Sequence, residues 1–297
     1  MRNITDTVEG IKELDISLYL EEHLQFYKFS MMEITTENGN VLKSEVNKTI
    51  HSTILKKDFE TYLIQLEVFD IEYKNRTVSL TEKDFLGRIA EVNDDIILET
   101  DEHLNINKLV NQHQIQKRLE EKIERLAKSN VGPKVEEMFQ YLREFYSNDR
   151  RILLDIKNYR QHGLLLNPFY DRYTPLSVKK RSVRYLNFVE NAVVNIGEEA
   201  RVKKIKLKER ELEVGVRGKM IAPFYNDMIF KSIKKKEISF DSEKDKPSLD
   251  KYEGSFIFNM NTGTVKKASI EIEFSLGNNY RKTISYQLNE LNDADNN

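Results

Sequence analysis

At 297 residues, with 39% hydrophobic, 10% aromatic and 32% charged residues, the chain holds enough apolar material for a sizeable core and too much for a disordered segment. A formal net charge of -2 argues against a chain built to coat nucleic acid, and the absence of cysteine excludes disulfides, thiolate metal ligands and a cysteine nucleophile. The near-neutral total conceals a gradient, about -11 over residues 1–107 and about +9 over residues 171–236.

Residues 1–20 carry Arg2, Asp6, Glu9, Lys12, Glu13 and Asp15, so they offer no apolar run for a signal peptide, while Ile11, Leu14, Leu18 and Tyr19 allow a short docking helix. No stretch reaches the roughly eighteen apolar residues of a spanning helix, and the expectation is a cytoplasmic protein. From Leu24 to Ile34 both alternating sets are apolar, which predicts a strand covered on both faces. Asn38-Gly39 predicts a hairpin, because both central positions of a type I′ turn need positive φ. Strands Val41 to Leu55 and Phe59 to Tyr73 extend it into a meander. Thr81 to Asp84 resembles a capping box for a short helix carrying Phe85, Ile89 and Val92, before a strand from Ile96 to Glu99.

Three helical patterns follow between Asn111 and Gly163. Ile115, Leu119, Ile123 and Leu126 share a face behind the candidate N-cap Asn111, and Glu121/Arg125 and Glu124/Lys128 pair on the other. Gly132-Pro133 breaks the pattern and opens a second helix with a broad stripe of Val135, Met138, Phe139, Leu142, Phe145 and Tyr146. Ser147 and Asn148 cap a third bearing Ile152, Leu153, Ile156 and Tyr159, with Gly163 as its stop. Leu164 to Phe169 then reads as a buried entry into further strands: Val183 to Ile196, Arg201 to Lys208 and Glu211 to Arg217. A helix beginning near Pro223 carries Phe224, Met228, Ile229 and Ile233, and Asp241 to Asp250 is a charged loop. The last meander runs through Phe256, Phe258 and Met260, turns at Asn261-Thr262-Gly263, alternates Ile270, Ile272, Phe274 and Leu276 with polar residues, and returns through Tyr280, Ile284, Tyr286 and Leu288 before a fraying end at Asn292 to Asn297.

This order predicts an α+β fold of antiparallel β-meanders packed on a central set of three helices. The segments are an N-terminal meander with a short helix (1–106), central helices (107–163) and a C-terminal antiparallel region (164–297).

Signatures of chemistry are sparse. His23, His51, His103, His113 and His162 are scattered, with no pair at the spacing of a helical zinc site, and are expected at the surface or capped. Asp94, Asp95, Glu99, Asp101 and Glu102 crowd five carboxylates near Asn105 and Asn107 but lack the glycine and terminal glutamate of a calcium loop, so they read as a solvated acidic turn. No glycine-rich phosphate loop or nucleophile elbow occurs. Hence no catalytic, cofactor or metal residues are assigned. The basic stretches Lys179-Lys180-Arg181 and Lys203 to Lys208, with Lys231 to Lys236, raise a nucleic-acid reading, but Glu198, Glu199, Glu209, Glu211 and Glu213 offset them. Lys179, Lys180, Arg181, Lys203, Lys204, Lys206 and Lys208 are therefore taken as a partner surface for a protein, an acidic one among the options. The aromatics Tyr27, Phe29, Phe139, Tyr146, Phe256 and Phe258 leave open an apolar pocket or a filled core.

The run Glu102-His103-Leu104-Asn105-Ile106-Asn107-Lys108-Leu109-Val110-Asn111-Gln112, with Asn167-Pro168-Phe169-Tyr170 and the ending Tyr252 to Gly263 through Tyr286, resembles a family of uncharacterised Bacteroidota proteins. The likeness covers about half the chain, which lacks the Trp that the pattern carries near Leu119. It implies a cytosolic accessory or immunity-like protein near polymorphic toxin or type VI secretion genes. The combined expectation is a non-enzymatic, cytosolic protein-binding protein acting as adaptor, chaperone or immunity partner of a secreted toxin or type VI secretion component. The alternative is a carrier of a small apolar ligand. Oligomeric state is left open.

Overall fold

The computed structural model describes residues 16–17, 20, 24–58, 61–75, 91–157, 162–166, 171–189, 192–221, 226–241 and 243–291. In chain order the strands are β1 (Ile16–Ser17), β2 (Leu24–Glu37), β3 (Asn40–Lys57), β4 (Thr61–Asn75), β5 (Asp95–Asp101), β6 (Ile106–Leu109), β7 (Arg172–Tyr173), β8 (Val178–Val189), β9 (Ala192–Lys206), β10 (Glu211–Met220), β11 (Pro247–Asn259), β12 (Val265–Leu276) and β13 (Tyr280–Leu291). The helices are α1 (Gln112–Ala127), α2 (Pro133–Tyr146), α3 (Asp149–Ile156) and α4 (Asn226–Lys235).

The expectation of meanders arranged around three central helices is corrected. Eleven strands share one antiparallel sheet in the order β6-β5-β4-β3-β2-β13-β12-β11-β10-β9-β8, and β1 pairs with β7 in a second, two-stranded one. The physical reason lies in how little the helices bury. The stripe on α2 promised the strongest burial in the chain, yet only Phe139 and Tyr146 are buried there, with Val135, Met138, Leu142 and Phe145 half-exposed. By contrast, β12 and β13 alternate buried and partly exposed residues over their whole length, the pattern of a sheet with one wet face.

The chain divides into two compact units. Unit 1 holds residues 1–21, 29–45 and 168–290, and unit 2 holds residues 22–28, 46–167 and 291–297. The segments drawn from sequence at 106/107 and 163/164 follow the chain, whereas these units take β2 and β3 in part each.

In unit 1, β11 to β13 form the expected three-stranded C-terminal meander, with turns at Gly263 (φ 71°) and Gly277 (φ 57°), and β10 pairs with β11. The strand expected from Val183 to Ile196 is instead the hairpin of β8 and β9. Its register shifts between Tyr185 and Val189, and Phe188 reaches Phe274 on β12 with ring centroids 5.5 Å apart. A flat sheet holds strands four places apart at about 19 Å, so the hairpin end folds over the buried face. Helix α4 packs on β8 and β9 through Ile229 and Ile233, while Met228 is exposed. The expected hairpin turn is present, with Asn38 at φ 48° and Gly39 at φ 82°.

In unit 2, β4 and β5 pair in register from Thr61↔Asp101 to Glu67↔Asp95, burying Tyr62, Ile64, Leu66, Ile96 and Leu98 on one face. Helix α1 packs on β5 and buries Ile115, Leu119, Ile123 and Leu126, as the periodicity requires. Asn111 is not a side-chain cap. Its Oδ1 accepts from the Ile97 amide (2.8 Å) and its Nδ2 donates to the Asp95 carbonyl (3.1 Å), which ties the start of the helix to the sheet. Pro133 opens α2 after Gly132 at φ 133°, and Asn148 caps α3 by accepting from the Arg151 amide. The expected double covering of β2 is also corrected: Tyr27, Phe29 and Met31 are buried, while Leu24 is exposed and Phe26, Met32 and Ile34 are half-buried. Leu164, Leu165 and Leu166 are buried in a turn and not a strand. Helix α3 ends at Ile156, ahead of the expected stop Gly163, which lies in a described turn. The helices expected near residues 11–19 and 81–92, the position of Tyr159, the entry at 167–170, the opening of α4 at Pro223 and the fraying end fall wholly or largely outside the described residues.

Candidate functional site

The seven basic residues singled out by sequence lie on β8 and β9 and the turn after them, at one end of the sheet order. Several are held across strands by acids. Lys179 meets Asp171 at 2.6 Å, Lys180 meets Glu199 at 3.3 Å, and Lys206 meets Glu211 at 2.7 Å. The antiparallel register explains these pairs: Lys180 lies opposite Glu199, Arg181 opposite Glu198, and Lys206 opposite Glu211. Three of the acids that dilute the basic stretches in sequence, Glu198, Glu199 and Glu211, are therefore their cross-strand partners, while Lys179 meets Asp171 outside this ladder. Lys203 is exposed and runs its stem over Gly215, where a Cβ would stand 2.1 Å from the Lys203 Cε. Lys208 is exposed and Lys204 half-buried. Lys180, with 73% of its side chain exposed, stands furthest into solvent of the paired cations.

Arg181 belongs to the interior. Its Nε donates to Glu198, a carboxylate with no exposed side-chain surface, and the Tyr252 hydroxyl donates to the other oxygen of that carboxylate. Tyr185 adds its hydroxyl to Tyr252 at 2.8 Å. Gly218 makes this reach possible. A Cβ there would stand 2.4 Å from the Tyr252 ring, so the bare backbone of β10 lets the ring lie across it toward Glu198 on β9. Arg181 is thus a structural member of a buried network, not part of an exposed partner surface.

Unit 2 holds the ionisable cluster that sequence reading missed. Lys48 projects from β3 into the buried face with 7% exposure, and burial holds its ammonium down to about 8, opposed by the charges of Asp94 and Asp155. Asp94 precedes β5, and its carbonyl accepts from the Val68 amide at 2.6 Å. Burial raises its carboxyl to about 6, opposed by Lys48 and Arg118. The Tyr146 hydroxyl at the end of α2 is raised by burial and by Asp155, against a hydrogen bond from the Asn93 side chain. Arg118 clamps the neighbouring Asp95, meeting its carboxylate at 3.1 Å and its carbonyl as well.

His162 is 2% exposed, which corrects its expected surface placement, and its imidazole is pushed well below its ordinary value by burial and by Lys48. Neither ring nitrogen has a hydrogen-bond partner among the described residues; nor do the Asn93 Oδ1 and the Arg118 Nε. His51 is also partly buried, stacked on Phe26 at 4.4 Å and 3.1 Å from a Glu67 oxygen, whereas His103 and His113 are exposed. Lys48 left one trace in sequence, as a cation on the same side of an alternating strand as the buried Ile50.

Beside this cluster, α1 and α2 border an open groove of about 460 Å³ lined by His113, Lys117, Leu119, Glu120, Arg143 and Tyr146 among others. Arg143 is locked to Glu120 through both oxygens at 2.9 and 3.0 Å. The acidic turn uses its own carboxylates: Asp101 Oδ1 accepts from the His103 and Asn105 amides at 2.9 and 2.8 Å. No group of three metal-ligating side chains occurs among the described residues. No helix among them is long and apolar enough to cross a membrane.

Comparison with known proteins places little beside this geometry. No family model matches the chain, and no curated protein matches it. Among solved structures it is similar to one described as lipid-protein interactions in lipovitellin, with a TM-score of 0.44 and 8% identity over 91% of this chain and 25% of that one. The chain thus spans about a quarter of that protein's length, and a likeness of this size carries no functional argument.

Proposed function

We propose that this chain is a non-enzymatic protein-binding protein whose partner docks on the basic end of unit 1. The observation that carries the reading is the placement of Lys180, Lys203 and Lys208 together on β8, β9 and the following turn, with their heads in solvent and with Leu176 (87% exposed) and Leu207 (44% exposed) on the same stretches. Exposed cations beside isolated apolar side chains suit the rim and anchors of a polar interface with an acidic partner. The role of adaptor, chaperone or immunity partner of a secreted toxin or type VI secretion component comes from the sequence resemblance alone and stands as the context in which to seek that partner.

The test is affinity capture of the tagged chain from its own cells at low and high salt, beside a variant carrying Lys203→Glu, Lys204→Glu and Lys208→Glu. These positions leave the buried Arg181–Glu198 pair and the Lys206–Glu211 pair intact. A stoichiometric protein partner that is lost with salt and with the variant is the expected result. Capture unaffected by the charge reversal would remove this surface, and recovery of the chain alone would remove the reading.

A further inference from the structure

We infer that the partner of unit 1 contributes an acidic, extended segment that adds as a strand along the open side of β8; this rests on the protein-binding reading and specifies how the partner is held. Strand β8 is last in the sheet order, and among the described residues it pairs with β9 alone. Its regular pairing with β9 runs from Val178 to Tyr185 without proline or glycine, so the other side of that stretch offers a row of backbone donors and acceptors. The strand at the other end of the order, β6, has four residues and leads directly into α1, so that end is too short to serve as a template. A long unpaired edge is the geometry of strand addition, in which main-chain hydrogen bonds supply affinity and alternate side chains supply selection.

Charge decides the occupant. Between Val178 and Val189 there are four cations, Lys179, Lys180, Arg181 and Arg184, and no acid. A second copy of the chain pairing β8 to β8 about a twofold axis would set these cations against one another, which disfavours the homodimer. Lys179, Lys180 and Arg181 already face Asp171, Glu199 and Glu198, so a segment with Glu or Asp at alternate positions meets chiefly Arg184 and the exposed head of Lys180. Arg184 is exposed and lies opposite Asn195, not an acid, so it is the first cation available to such a segment. The exposed Leu176 and Val178 at the start of the strand provide an apolar footing for one end.

The probe is a synthetic peptide of about ten residues alternating Glu and Val, long enough to cover most of the strand. Its controls are a Lys/Val counterpart and a Glu/Val copy N-methylated at alternate residues. Binding to the full chain and amide hydrogen exchange over residues 178–189 are measured together, and the exchange measurement is repeated with any protein obtained by capture. We expect the Glu/Val peptide to slow exchange in that segment, and both controls and an Arg184→Glu variant to bind at least about tenfold more weakly. Equal binding of the N-methylated copy, or binding that leaves exchange at 178–189 unchanged, overturns strand addition. Equal binding of the Lys/Val peptide overturns the acidic occupant. If a captured partner depends on Lys203, Lys204 and Lys208 while β8 exchange is unaltered, the protein-binding reading stands and strand addition falls. If neither partner nor peptide binds, both fall.

Discussion

In unit 1 the buried carboxylate of Glu198 is met by Arg181 on the neighbouring strand and by the Tyr252 hydroxyl, itself joined to Tyr185. In unit 2 the buried ammonium of Lys48 shares its surroundings with two carboxylates, a tyrosine and a histidine whose nitrogens find no partner among the described residues. Both arrangements place charge on the buried face of a sheet. In the first, both oxygens of the carboxylate are met by direct hydrogen bonds, which restores much of what desolvation removes, although the Arg181 Nη1 has no partner among the described residues; in the second, the His162 nitrogens, the Asn93 Oδ1 and the Arg118 Nε lack such bonds among them. Substitution in the first should therefore expose a buried charge, and substitution in the second should relieve one.

The largest effect is expected from Arg181→Met. It leaves Glu198 without its cation at a site where water does not reach the carboxylate, and loss of one partner of a buried pair costs about 3–5 kcal/mol. Chemical denaturation of the single variant and of Arg181→Met/Glu198→Leu distinguishes the pair from simple packing. The double variant should recover most of the loss, because no charge is then stranded. If both variants lose the same amount, the ion pair is not what closes this network.

Lys48→Met should act in the opposite direction and reveal itself through pH. The folded pKa of Lys48 lies near 8, below the 10.5 of the free side chain, so between those values the unfolded chain holds a proton that the folded chain has released. Stability of the native protein therefore rises with pH in that window, by about 2 kcal/mol between pH 8 and about pH 9.5. Above that range the tyrosines begin to titrate and obscure the slope. Unfolding midpoints across the window should rise in the native chain and stay nearly level in the variant. Parallel profiles would show that Lys48 is not buried as a cation in solution.

These two sites differ in how far they could be read in advance. The hairpin at Asn38-Gly39, the face of α1 and the C-terminal meander are local: a turn that needs positive φ, a period of 3.6 and a period of 2 each write themselves into adjacent residues. The sheet that unites distant strands is not local, and the helices looked central because the apolar stripe of α2 was read as burial when its neighbours leave half of it exposed. The basic stretches were visible, but their pairing with Glu198, Glu199 and Glu211 depends on register, which moved Arg181 from the surface to the interior. The unit 2 cluster draws Lys48, Asp94, Tyr146, Asp155 and His162 from a span of more than a hundred residues, with no spacing to mark them. Only the cation beside a buried Ile50 hinted at it.

The smallest effect, and the most direct probe of the difference between the units, is expected from His162→Phe. The imidazole is buried with two polar atoms that have no partner among the described residues, and replacing such a ring by an apolar one of similar shape removes a desolvation cost with no hydrogen bond among those residues to lose. The variant should match the native stability or exceed it by about 1 kcal/mol near neutral pH. Acid separates this from a packing effect. Because the folded pKa of His162 is depressed below 6.5, the native chain loses stability as pH falls through 6.5 toward that lower value, while the unfolded chain takes up a proton that the folded chain refuses. Asp94 works against this slope, since its raised folded pKa adds stability as pH falls from about 6 toward 3.8. The carboxylate contributions, that of Asp94 included, are common to native chain and variant, so with the histidine gone the variant should gain on the native chain as pH falls below 6.5. A constant difference at all pH values would mean that the imidazole is satisfied in solution, and the contrast with the closed network of unit 1 would disappear.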